Sequence, residues 1–256
     1  MDVATLAQLA LAGLIGGIIT AIVGAASLIT FPAMLAVGLP PVVATACNTV
    51  AMTPSSFVAA WVDYRRLPPW RPAFRLVLAI SAVGSSIGAF LLLLTPERAF
   101  SVFVPVLIGL ATVLFAGAGT VRRWLYRHGD DPALHSAHAE RVGLTLLAPV
   151  SVYSGYFGAG TSVMLLAILS LGPAADFRSV NALKNLLSGL SSVVAVVIFI
   201  AGGLIVWPQT LALGAGGLAG GYVGGRLAHF VPVRAIRWLV IAVGATVTVV
   251  SAKRFW

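Results

Sequence analysis

From Ala4 to Ala252 the chain is a succession of apolar runs separated by short polar, glycine or proline breaks. About 20 apolar helical residues cross the ~30 Å hydrocarbon layer of a membrane, and several of these runs have that length. The first, Ala4 to Val37, is interrupted at Gly24. Val42 to Val62, Phe74 to Leu94 and Ala99 to Ala118 follow, and then one long polar stretch, Val121 to Arg141. Val142 to Leu171 is interrupted around Gly155 to Thr161, and Arg178 to Ala201, Trp207 to Ala228 and Val233 to Ala252 complete the series. The pattern predicts an all-α polytopic membrane protein.

The two interruptions resemble each other. Gly24-Ala25-Ala26-Ser27 runs on to Phe31-Pro32 and Gly38-Leu39-Pro40, and Gly158-Ala159-Gly160-Thr161-Ser162 runs on to Gly172-Pro173. Gly24 and Gly158 are 134 apart, as are Gly38 and Gly172; Asn48 and Asn181 are 133 apart, Trp70 and Trp207 137, and Arg98 and Arg234 136. This near-constant offset predicts two homologous repeats, 1–120 and 142–256, joined by a polar cytoplasmic connecting loop, 121–141. Each repeat would hold a glycine-broken, re-entrant helical hairpin and three transmembrane helices. A break within the bilayer leaves backbone groups unpaired, and survives only inside protein or at a polar cavity. Matched breaks in two halves point to a transporter's binding site.

Loop charge bears on how the repeats are related. Lys and Arg collect in cytoplasmic loops. Inverted repeats put Arg65, Arg66, Arg71, Arg75, Arg122, Arg123, Arg127, Arg141, Arg178, Arg226, Arg234 and Arg237 inside and Arg98, Lys253 and Arg254 outside, 12 against 3. Parallel repeats give 10 against 5, so the inverted arrangement is favoured. The same bias accounts for the net charge of +9 without nucleic acid. With 59% hydrophobic and 9% charged residues and a mean hydropathy of +1.02, the chain cannot cover a water-facing surface, since soluble domains carry about 25% charged residues. Asp2 stands where a secretory signal wants a basic residue, and no small-residue cleavage site follows, so the first run is expected to be retained. Cys47, the only cysteine, reads as a packing residue.

Candidate chemistry centres on the breaks. A helix that starts inside the membrane presents unpaired N–H groups and a partial positive charge, an anion site that needs no basic side chain. Gly24, Ala25 and Ser27 form the first such start; Gly158, Gly160, Thr161 and Ser162 form the second, and the hydroxyls are candidate helix caps. Lys184 is the one charge deep in a predicted span, about 12 Å along its helix from Asp176. Such a residue marks a pathway or an ion pair, the blander alternatives being snorkelling or pairing with Asp176. Asn181 and Asn185 flank it, and the first half offers Asn48 and Thr49 but no charge. All seven acids fall in loops or at helix ends, which suits an anion better than a cation. The glycines of Gly217 to Gly225, and Gly84 and Gly88, read as helix-packing positions rather than a nucleotide loop. His128, His135 and His138 lack a closed ligand set, so no metal is expected, nor a cofactor or a catalytic arrangement.

The motif Gly24-Ala25-Ala26-Ser27 with Phe31-Pro32 and Gly38-Leu39-Pro40, the stretch Asn181-Ala182-Leu183-Lys184-Asn185-Leu186-Leu187, and Trp207 followed by Gly217 to Gly225 together resemble the TauE/SafE sulfite exporter-like (TSUP) family over nearly the whole chain. The resemblance implies a two-repeat membrane protein that moves small sulfur-containing or organic anions, often outward, without enzymatic chemistry. Ala25 and Ala26 depart from the family's glycine-richer first break. The expected function is therefore a secondary transporter, an exporter of a small anion such as sulfite or an organosulfonate across the plasma (inner) membrane, with proton coupling as an option. Its partners would be that anion and the lipid bilayer. A passive anion channel and a non-transporting assembly subunit are the alternatives.

Overall fold

The structure is a computed structural model that describes residues 2–22, 24–62, 64–67, 72–127, 132–169, 177–227 and 233–255, with backbone alone at 66, 72–74, 118–127, 132–142, 177–178, 227, 233–237 and 254. Expectations resting on Asp63, Pro68, Trp70, Arg71, His128, Asp130, Asp131, Gly172, Pro173 and Asp176 lie outside the described residues. Ten α-helices account for nearly all of the described chain. They are α1 Val3–Ile22, α2 Ser27–Ala36, α3 Pro41–Val62, α4 Pro72–Leu94, α5 Glu97–Arg127, α6 Pro132–Tyr156, α7 Thr161–Leu169, α8 Phe177–Ala201, α9 Trp207–Leu227 and α10 Val233–Phe255, with a 3-10 turn at Tyr64–Arg66. Among the described residues five helical stretches are long and apolar enough to cross a membrane. Leu11, Val83, Ile87, Phe103, Val113, Val197 and Leu211 are exposed on their outer faces, as lipid-facing side chains would be. The protein is a multi-pass helical membrane protein.

Both expected interruptions are present, between α1 and α2 and between α6 and α7. The polar stretch 121–141 is not a loop throughout. α5 continues to Arg127 and α6 begins at Pro132. Apolarity reports the thickness of the bilayer, whereas a helix of Arg, Leu and Trp can continue into water, so the helices outrun their hydrophobic spans.

Glycine seams fix how the helices lie. α1 and α9 run side by side in the same direction: a side chain at Gly13 would strike the backbone of Leu213 and Gly217, and one at Gly17 that of Gly217 and Gly221. α4 and α6 form a matching pair, with Gly84 against Ala148 and Val152, and Gly88 against Val152 and Tyr156. Only glycine permits this backbone-to-backbone approach, the usual way membrane helices associate. α3 and α8 run in opposed directions: the Cys47 thiol donates to Leu204 O at 3.7 Å and accepts from Val206 N at 3.2 Å, whereas Phe57 meets Gly189 near the other end. α5 and α10 are opposed as well, Gly109 at Thr248 and Thr112 at Gly244.

α2 turns back along α1, since a side chain at Gly16 would fall on Thr30. α7 likewise returns along α6, with Gly143 beside Ile168. These directions give the molecule two chemically distinct ends. One holds the start of α3, the α4–α5 turn and the α8–α9 turn; there Val42 N donates to Glu97 Oε1 at 3.0 Å, and Arg98 and Lys253 lie at this end. The opposite end gathers Arg65, Arg66, Arg75, Arg122, Arg123, Arg127, Arg141, Arg178, Arg226, Arg234 and Arg237.

Candidate functional site

Where α1 stops, Gly24 takes φ +83° and its N–H bonds Ile19 O at 2.8 Å. Where α6 stops, Gly158 takes φ +77° with its N–H on Tyr153 O at 3.1 Å, and Gly160 takes φ +78°. Left-handed backbone of this kind suits glycine and strains other residues. α2 and α7 then start afresh within the protein. Among the described residues no backbone carbonyl accepts from the N–H of Ala25, Ala26 or Ser27, the unfilled donors expected of a helix start.

The two breaks meet. Both line one cavity of about 60 Å³, with Gly24, Ala26 and Ser27 from the first and Gly158, Thr161 and Ser162 from the second. Asn48, Thr49, Met52, Thr53 and Ser56 of α3, Ser188 and Ser192 of α8, Thr20 of α1 and Ser154 of α6 complete the wall. A water needs about 10–15 Å³ of such space, so the cavity holds a few waters or one small solute. On one side the breaks are packed by rings: Phe31 and Phe157 stand edge to face at 5.2 Å, with Phe100 and Tyr153 each 6.2 Å from Phe157.

Of the residues expected from sequence, Gly24, Ser27, Asn48, Gly158, Thr161 and Ser162 line the cavity. Ala25 is buried beside it. Gly160 faces away, its missing side chain 3.0 Å from Ala111 of α5. Lys184 is 0% exposed, and its Nζ would stand 2.6 Å from a methyl added at Gly24, which would also meet Ser162. Nζ therefore lies close to Gly24 at the first break, and Lys184 is not among the residues that line the cavity. Asn181 donates from Nδ2 to Ala21 O at 3.3 Å, covering a carbonyl freed by the end of α1. Asn185 is buried with no partner for Oδ1.

One expectation changes. Ser27 does not cap α2, whose N-cap is Ala26 in helical backbone with no side-chain bond; the Ser27 hydroxyl instead accepts from Asn48 Nδ2 at 3.3 Å. Elsewhere Gly221 lies against Ser55, and the Ser85 hydroxyl donates to Ser191 O at 2.7 Å.

The polar atoms divide by what they have left to offer. Thr49 and Thr53 donate their hydroxyl protons to Thr45 O and Thr49 O at 2.9 and 2.7 Å, so they face the cavity as acceptors. Ser162 and Ser188 share a bond at 3.4 Å. Thr161 Oγ1, Lys184 Nζ and the Oδ1 atoms of Asn48, Asn181 and Asn185 are buried and have no partner. Orphaned buried polar atoms are rare, and a group of them around a cavity marks a place where a ligand belongs. Thr20, Thr53, Ser56, Ser154, Ser188 and Ser192 were not singled out from sequence. The signal was there: Thr20 and Ser154 share the 134 offset of the glycines, and Ser188 and Ser192 are one helical turn apart.

Over residues 9–251 the chain matches the family described as Sulfite exporter TauE/SafE. It is 30% identical over 247 residues to "Probable membrane transporter protein ORF9" of Sinorhizobium sp, covering 95% of this chain and 91% of that one. It is 28% identical over 244 residues to "Probable membrane transporter protein YfcA" of Escherichia coli strain K12, covering 94% and 86%. A Haemophilus influenzae "Probable membrane transporter protein" is 26% identical over 223 residues, covering 87% and 84%. No solved structure matches. The match runs through both breaks, α3, α8 and the glycine seams, and the chain belongs to the sulfite exporter TauE/SafE family.

Proposed function

We propose that the protein is a secondary transporter of a small anion, an exporter of sulfite or an organosulfonate across the plasma membrane, working by alternating access about the shared cavity. One observation carries the reading: two interrupted helices about 134 residues apart line a single cavity, with backbone donors at the first that no described carbonyl fills and Lys184 Nζ close to Gly24. Helix N-termini favour negative charge, and the cation adds to that field. The Thr161 hydroxyl is a further donor inside the cavity. Gly24, Ala25, Ser27, Asn48, Gly158, Gly160, Thr161, Ser162, Asn181, Lys184 and Asn185 form the site in this reading, Gly160 and Asn181 by holding the breaks in place.

The halves act as inverted repeats of 1–120 and 142–256, each a re-entrant hairpin with three crossings. The paired seams α1–α9 and α4–α6 support this, as do the opposed directions of α3 against α8 and α5 against α10. The crowding of arginine at one end supports a cytoplasmic location for that end. Rocking of one repeat against the other then exposes the cavity to each side in turn. Proteoliposomes offered sulfite, thiosulfate, methanesulfonate and acetate test this. Saturable flux of at least one is expected, and folded, inserted protein that moves none of the four overturns it.

A further inference from the structure

We infer that Lys184 is the proton carrier of the transport cycle: it holds the anion as an ammonium ion and makes the return trip as a neutral amine. One proton then travels with each monovalent anion, and no net charge crosses. This rests on the anion-transport reading above and extends it to the coupled ion and the charge moved; with such coupling an inward proton gradient drives uptake, and export runs down the anion's own outward gradient.

The geometry sets the problem. Lys184 Nζ is fully enclosed, makes no hydrogen bond, and lies close to Gly24, which lines the cavity. Among the described side chains the elements around it bring no counter-ion. α2 and α7 carry no titratable side chain, and α1 carries none beyond Asp2 just before it. On α3 the titratable residue is Cys47, held by the Leu204–Val206 turn. Arg75 lies at the first turn of α4, and Tyr64, Arg65 and Arg66 lie in the turn beyond α3. On α6, Tyr153 donates its hydroxyl proton to Leu107 O at 3.4 Å and the Tyr156 hydroxyl pairs with Thr95 at 3.4 Å. His135, His138, Glu140 and Arg141 belong to the first turns of α6, toward the arginine end. Among the described residues no carboxylate faces Nζ.

An enclosed ammonium without a counter-charge costs several kcal/mol. With an anion in the cavity the pair is neutral and the cost is offset. Without one, the empty carrier must reorient around a bare charge or shed the proton. Lysine can shed it, whereas a guanidinium stays charged. On binding, a proton carried in as hydronium from the solution on the loading side bonds to the Nζ lone pair, leaving water, and the anion settles against the ammonium. On release at the other face the anion leaves, the N–H bond breaks, and the proton returns to water there.

Reconstituted full-length protein tests this with radiolabelled methanesulfonate, which stays monovalent, a pH dye inside the vesicles, and potential clamped with potassium and valinomycin. The expected result is one proton moved per anion, a flux unchanged by the clamped potential, and about tenfold accumulation per unit of pH gradient, the fold-change that 1.4 kcal/mol supports. Lys184→Arg should lose proton-coupled net uptake at least tenfold more than it loses tracer exchange of anion for anion. Net uptake that carries charge without protons overturns the inference and leaves anion transport standing, as does coupled uptake that survives in Lys184→Arg. Absence of tracer exchange in the unaltered protein overturns the anion-transport reading itself. If Lys184→Arg does not insert, the proton count of the unaltered protein decides.

Discussion

The first and second helix breaks share a backbone plan and differ in chemistry. Each ends a long helix at a left-handed glycine, Gly24 or Gly158, and starts a short one of 10 or 9 residues. The first needs one such glycine, because Ala26, at the place corresponding to Gly160, lies in ordinary helical backbone with φ −56°. Alanine fits that position without strain. The second break uses two. Polar partners are unequal as well. Asn48 reaches Ser27, while Lys184 reaches Gly24. Among the described residues, one charged side chain thus lies beside a break, and it lies beside the first. Binding can use both helix starts, but any coupling through a titratable group depends on one side chain.

The largest effect should separate the two glycines. At Gly24 a methyl would stand 2.6 Å from Lys184 Nζ and from Ser162 Cβ, in addition to the cost of left-handed backbone, about 1–3 kcal/mol. At Gly158 the nearest atom is Ser154 O at 3.3 Å. Gly24→Ala should abolish flux, roughly a hundredfold or more, and Gly158→Ala should lower it about tenfold by strain alone, following the same range. Flux per inserted molecule in proteoliposomes measures both, and equal losses would contradict the asymmetry.

Next, Lys184→Met should remove anion flux while raising thermal stability, because replacing buried ionic groups with apolar ones is often stabilising by about 1–4 kcal/mol. A melting temperature that falls with flux retained would make Lys184 a structural residue. Asn48→Ala removes one hydrogen bond to Ser27, worth about 0.5–1.5 kcal/mol, and should weaken apparent anion affinity by about 3–10-fold with flux at saturation preserved. Kinetic titration of uptake checks it. The smallest effect is expected from Ala26→Gly, which gives the first break the second glycine of its counterpart. Helical backbone there makes the change cost about 0.5–1 kcal/mol, seen as a small drop in melting temperature with flux within about twofold.

Much of the frame was readable along the chain. The breaks at Gly24 and Gly158, the apolar spans and the packing glycines follow from local rules: glycine admits left-handed turns and close approach, and lipid demands apolar length. Ends of helices outside the apolar layer were less readable. Val121 to Arg127 and Pro132 to Arg141 are polar yet helical, because hydropathy carries no signal for helix once the chain leaves lipid. The site was half legible. Its glycines, Ser27, Asn48, Thr161 and Ser162 were evident, but the serines and threonines of α1, α3, α6 and α8 are ordinary membrane-helix residues until a cavity gives them a common wall.

By itself the sequence determined that the chain crosses membranes, where two of its helices must break, and which loops carry positive charge, since each of these depends on residues close together. Only the tertiary structure decided that the breaks adjoin, and that Lys184 of α8 reaches Gly24 at the end of α1. Those outcomes depend on the register between helices more than a hundred residues apart, which is set by glycine seams meeting backbone to backbone and leaves no trace in either helix alone.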